Sequence, residues 1–214
     1  MAKKGIAYRI AQALSILLYP LFVPTYGIAL FCYAHHQWEE PLHIVWMLVA
    51  LCGTLLLTCL LPASAIWMLI RQGRVSSMQI ENAGERTMPY RYAALGFGFW
   101  SYLLIAILQA PVYINYVAVG ATVAIAIVAL INRQWKISAH LTGFGGLLGG
   151  LMAYCFGTGI FPSLLTLGIV LGLTLALMFA RLYLEAHTPM QVVAGWLLGL
   201  TCTFIPYLIY QYVA

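Results

Sequence analysis

The sequence predicts an all-α fold, a polytopic transmembrane helix bundle of about seven spans, each long enough for a bilayer. Three observations carry this. First, 64% of the 214 residues are hydrophobic and only 7% are charged, where a soluble domain carries roughly 25% charged residues. Second, the mean hydropathy is +0.94, more apolar surface than one soluble core can hide. Third, the apolar runs are continuous over about 20 residues, the length of a spanning helix. Short alternating segments, the mark of a barrel, are missing. Inside hydrocarbon every backbone polar group needs an internal partner, so such runs must be helical. Residues 1–214 read as a single integral membrane domain, with spans one and two in 1–70 and a second part in 71–214.

Span one is expected over 10–34, too long for the apolar core of a signal peptide. Pro20 and Pro24 imply a kink or break within it. His35-His36-Gln37-Trp38-Glu39-Glu40-Pro41 is a polar turn. Span two covers 42–70, and the longest polar segment, 71–91, follows. Spans three and four, 92–109 and 112–131, meet at Pro111. Span five, 137–156, carries Gly143, Gly145, Gly146, Gly149 and Gly150, small residues that let another backbone approach or leave room for a lipid chain. Spans six and seven are expected at 160–180 and 190–212. Cys32, Cys52, Cys59, Cys155 and Cys202 lack metal-ligand spacing and read as small packing residues. The six tryptophans fit interfacial anchors.

An odd number of spans puts the N-terminal tail, 71–91, 132–136 and 180–189 on one face. Every basic residue then lies on or near it: Lys3, Lys4, Arg9, Arg71, Arg74, Arg86, Arg91, Arg133, Lys136 and Arg181. The opposite face carries Glu39 and Glu40. By the positive-inside rule the basic face is cytoplasmic, in a multi-pass protein of a bacterial inner membrane.

Three polar clusters share that face: Glu81–Tyr90, Lys136–His140 and Arg181–Gln191. Arginine presents a planar fork that matches phosphate oxygens. A neutral histidine can attack phosphorus, and a second can protonate the leaving oxygen. The start of a helix and a serine can hold developing negative charge. Phosphate chemistry at the headgroup level is therefore expected. Glu81 and Glu85 are expected to pair with Arg74 or Arg86. A metal held by His140, His187 and Glu185 is a minor alternative. A channel or transporter would want charges near mid-span, and here they lie at span ends.

Arg181-x5-His187 and Ser138-x-His140 resemble the third and second signature motifs of the type 2 phosphatidic acid phosphatase (PAP2) superfamily. Glu85-Arg86-Thr87-Met88-Pro89 resembles its first motif in divergent form. The resemblance covers roughly 71–212, which makes 71–214 a PAP2-like helical core. It implies an integral membrane hydrolase that cleaves a lipid phosphate or isoprenoid (pyro)phosphate through a phospho-histidine. His187 would be the nucleophile, His140 the acid for the leaving group, and Arg86, Ser138 and Arg181 the phosphate ligands. No metal or other cofactor is implied. The partners would be membrane lipids and the phosphorylated lipid substrate, with no nucleic acid. The pattern departs at Gln79, where the family has Lys, at Ala139, where it has Gly, and at Gln191, where it has the Asp that orients the nucleophile. The chain has no aspartate to substitute. A PAP2-like protein that binds or translocates phosphorylated lipids without cleaving them is the alternative.

Overall fold

The computed structural model describes residues 5–38, 43–78, 80 and 82–213; Lys3, Lys4, Glu39, Glu40, Pro41, Gln79 and Glu81 lie outside them. The described residues form helices and no strand: α1 (Ile6–Leu17), α2 (Val23–Trp38), α3 (Ile44–Thr54), α4 (Leu61–Arg71), α5 (Thr87–Ala106), α6 (Val112–Ile131), α7 (Ala139–Thr158), α8 (Leu164–Tyr183) and α9 (Pro189–Val213). A π-helical segment, Leu55–Leu60, joins α3 to α4, so Ile44–Arg71 runs as one helix of 28 residues. Pro62 explains the π turn. It has no N–H for the carbonyl of Thr58, and the widened turn absorbs the lost bond.

Among the described residues, five helices are long and apolar enough to cross a membrane: Ile44–Arg71, α6, α7, α8 and α9. The 20-residue α5 stands apart from these five. It starts five residues before the expected third span, because the polar stretch Thr87–Arg91 is already helical. The expected first span is divided. The chain leaves helix after Leu17, passes through Pro20 and resumes at Val23. Pro24 sits in the first turn of α2, where its missing N–H has no partner to lose.

α7 is the centre. Of its most apolar stretch 56% is buried, against 22–33% for the other four. It packs most closely on α9. A Cβ built on Gly145 would overlap the carbonyl of Trp196, and one on Gly199 would overlap that of Thr142. Gly149 and Gly195 face Leu200 and Ser138 in the same way. The two helices thus meet backbone to backbone along two Gly-x3-Gly steps, 145–149 and 195–199. Thr203 donates its hydroxyl across the seam to Gly146 O at 3.1 Å. Ser138 N–H donates to Gln191 O at 3.2 Å, tying the two N-terminal ends together. Ser138 caps α7 through its side chain, and Gly159, in the left-handed region at φ +71°, ends it.

Gly145→Ala and Gly199→Ala are each expected to lower stability by about 1–3 kcal/mol, the usual cost of overpacking. Gly168→Ala, on open α8 surface with nothing within 4 Å, is expected to hold or gain up to about 1 kcal/mol in helix propensity. Thermal unfolding midpoints of the three detergent-purified variants check this ordering.

Candidate active site

The ends of four segments meet at one polar pocket: the α1–α2 break, the start of α5, the start of α7 and the α8–α9 turn. Arg86, His140, Arg181 and His187 line it, with Tyr19, Tyr90 and Ile80.

Arg86 closes a 3-10 turn, Ala83–Arg86, that leads into α5. It is buried, and its Nε donates to Ile80 O at 2.7 Å. Ile80 itself has φ +45°, a left-handed conformation that a β-branched residue rarely adopts. The guanidinium is also hydrogen bonded to the Tyr90 hydroxyl. Glu85 does not take the expected role of ion-pair partner. Its carboxylate accepts from Ser76 N–H at 2.7 Å, the Ser76 hydroxyl at 2.8 Å and the Asn82 amide at 3.0 Å. Those bonds hold its pKa below the ordinary carboxylate value and lock the 76–85 loop that carries Ile80. Glu81 lies outside the described residues.

Arg181 and His187 are brought together by the end of α8. Ala186 N–H donates to Arg181 O at 3.1 Å and Glu185 N–H to Leu182 O at 2.9 Å. With Glu185 at φ +52°, this is a Schellman reversal built on a non-glycine residue. The chain doubles back, and the residue six positions after Arg181 faces the same pocket. Glu185 is spent on that turn and is not the partner of the His187 ring.

The α9 cap fixes the tautomer of His187. Gln191 Oε1 accepts from Thr188 N–H at 3.1 Å, and Gln191 N–H meets Thr188 Oγ1 at 3.4 Å. This is a capping box. The same Oε1 lies 3.2 Å from His187 Nδ1, and Lys136 O lies 3.1 Å from it. Both oxygens can only accept, so Nδ1 carries the hydrogen and Nε2 is a bare lone pair. Burial, then the Arg181 and Arg86 guanidinium charges, push the His187 pKa down to about 4. The ring is neutral at pH 7.

His140 is the second residue of α7, and its Nε2 lies 3.0 Å from Ser15 O on α1. A carbonyl only accepts, so Nε2 carries the proton. Tyr19 meets this ring edge to face at 5.6 Å and anchors its own hydroxyl on Met78 O at 2.7 Å. Ser138 is wholly buried, and its hydroxyl accepts from Leu141 N–H at 3.5 Å. It stands behind the pocket wall, which is formed there by Ala139. Ser15, Tyr19, Ile80 and Tyr90 carried no sequence signal of a role, because their relevance depends on long-range contacts. Among the described residues no group of three His, Cys, Asp or Glu side chains could hold a metal ion.

A second, apolar cavity adjoins the first and shares Pro20, Leu21, Ile125 and Ala139 with it. Its open space is about 120 Å³.

No curated protein and no solved structure matches the chain. The sequence profile of the PAP2 superfamily matches residues 115–214. The matched segment holds His140, Arg181, His187 and Gln191, while Arg86, Tyr19 and the α1–α2 break lie outside it. By that match, the C-terminal part of the chain, 115–214, is similar to the PAP2 superfamily.

Proposed function

We propose that the protein is a membrane-embedded phosphatase that cleaves a lipid phosphate or isoprenoid (pyro)phosphate through a phospho-histidine. One observation carries the reading: two neutral-tautomer histidines, the buried Arg86 and the half-buried Arg181 line a single pocket that adjoins an apolar cavity. Arg86 and Arg181 bind the phosphoryl oxygens. His187 Nε2 attacks phosphorus, forming the N–P bond as the P–O bond to the leaving group breaks. The phosphate's negative charge, set between the guanidiniums, brings a proton onto His140, which delivers it to the leaving oxygen. Water then attacks phosphorus, His140 takes its proton, and inorganic phosphate leaves with His187 restored. Ser138, which belongs to the same expected phosphate set, acts in this scheme through the N-terminal turn of α7 that it caps. Gln191 holds the Nδ1–H and so keeps Nε2 free.

Gln191 is also the observation that favours a second reading, a PAP2-like protein that binds phosphorylated lipids without turnover. An amide orients the ring but adds no negative charge to stabilise an imidazolium. The active-site face is proposed to be cytoplasmic, on the charge distribution alone.

Three experiments test these statements. His187→Ala is expected to abolish phosphate release from purified protein on a panel of lipid phosphates. Equal release by this variant rejects the phosphatase reading, and binding without release in the native protein favours the second one. The acid limb of kcat/KM, which reports the free enzyme, is expected near pH 4, where His187 takes up its proton. Gln191→Glu places a carboxylate beside Nδ1, favours the charged ring, and is expected to move that limb up by about 1–3 pH units. An unmoved limb removes His187 as the titrating group. In a background without native cysteines, a cysteine at position 37 is expected to react with an impermeant thiol reagent only from the extracytoplasmic side. Labelling only from inside inverts the orientation.

A further inference from the structure

The apolar cavity has a chemistry of its own, independent of the histidines. Five of its lining residues bear hydroxyls, and each is already bonded within the protein. Thr54, Thr58, Ser101 and Thr142 donate to the carbonyls of Ala50, Thr54, Phe97 and Ser138, at 2.6 to 3.0 Å. Thr203 donates to Gly146 O. The one indole N–H, on Trp100, donates to Thr54 Oγ1 at 2.8 Å. Their hydrogens are spent inside the protein and the rest of the lining is apolar, which favours hydrocarbon as the occupant.

Width and depth narrow the choice. Beside the cavity an added methyl at Gly143 would come within 3.1 Å of Val23, and at Gly150 within 3.1 Å of Val117. α7 therefore packs directly on α2 and α6 at these two points, and the open space left beside them, about 120 Å³, is narrow. Along α7 the lining runs from Ala139 to Gly150, roughly 16 Å at about 1.5 Å per residue. At the far end stand Phe31, Leu104 and Ile114, all buried. Tyr113 and Tyr154 pack behind Phe31, with ring centroids at 6.0 and 5.9 Å.

We infer that this cavity is a length-selecting slot for one hydrocarbon chain of the substrate, with Phe31 and Ile114 as its floor, so that the protein prefers single-chain phosphate amphiphiles over two-chain ones. The inference rests on the proposed phosphatase reading for the headgroup end, where Pro20, Leu21, Ile125 and Ala139 join slot to pocket. Ala121 lines the slot from α6, and a larger side chain there shortens it.

The test is a series of alkyl monophosphates from hexyl to octadecyl, with a two-chain phosphatidic acid as comparison, in mixed micelles at fixed mole fraction. The native protein is expected to show kcat/KM rising with length to a limit and falling beyond it. Ala121→Leu is expected to lower the octadecyl-to-hexyl ratio at least tenfold, and Ile114→Ala to move the limit to longer chains. A flat profile, a limit that neither variant moves, or preference for the two-chain lipid overturns the slot. Two variants of opposite sign keep the test valid if one does not fold. Failure of the phosphatase reading looks different: no His187-dependent release from any ester. The slot is then judged by binding of the same series, read as quenching of Trp100 by bromine-tipped chains with Trp100→Phe as control. The same length limit upholds it, and its absence overturns it.

Discussion

The contact between the α7 and α9 backbones governs the rest of the molecule. Each of the two histidines stands at the N-terminal end of one of these helices: His140 is the second residue of α7, and His187 precedes α9 by two. Their relation in space is thus set by how closely the helices approach. Glycines at 145, 149, 195 and 199 bring the backbones into contact, with no side chain between them that could adjust. The Ser138 N–H to Gln191 O bond then fixes the register at the end where chemistry would occur. A lipid environment supplies little hydrophobic drive between helices, so such packing and cross-helix bonds must set the geometry.

The α9 cap serves two purposes with one side chain. Gln191 Oε1 satisfies an orphan N–H of the helix start and accepts the Nδ1–H of His187. The capping box therefore settles which ring nitrogen is free. Lys136 O, from the segment before α7, takes part of the same proton, so the His187 ring is oriented by both partners of the central helix pair. What the amide omits is charge. Beside two guanidiniums and away from water, the ring stays neutral, which suits the proposed attack on phosphorus but would leave a phospho-histidine without a carboxylate to offset it.

Much of this was legible in the sequence, for physical reasons that differ by element. Long apolar runs read directly as helices, and 112–131 matches α6 to the residue. Arg181, His140 and His187 were readable because their spacing is set locally, by a helix end and a turn. In the first span the prolines implied a kink or a break, and the chain breaks. Proline at 20 announces a break, but whether a break kinks or divides a helix depends on what packs against it. The pairing of Glu85 failed because charge suggests an ionic partner, while the loop offered closer neutral donors in Ser76 and Asn82. Glycine at 195 and 199 passed unremarked beside the richer run in α7, since a seam needs two faces and the sequence shows each separately.

The division of the first span matters for the site. Had 10–34 been one straight helix, the region around Pro20 would have presented a uniform apolar face. Broken there, the chain places Ser15 O against His140 Nε2 and the Tyr19 ring against the same imidazole. It also lets Pro20 and Leu21 border both the polar pocket and the apolar cavity. A site built only from the segment that matches the superfamily profile would hold the histidines and Arg181. The wall that Pro20 and Leu21 form toward the apolar cavity, and the carbonyl that fixes the His140 proton, come from the N-terminal third. Recognition of an amphiphile, polar at one end and apolar along its length, needs such a junction, and the proline break is what creates it.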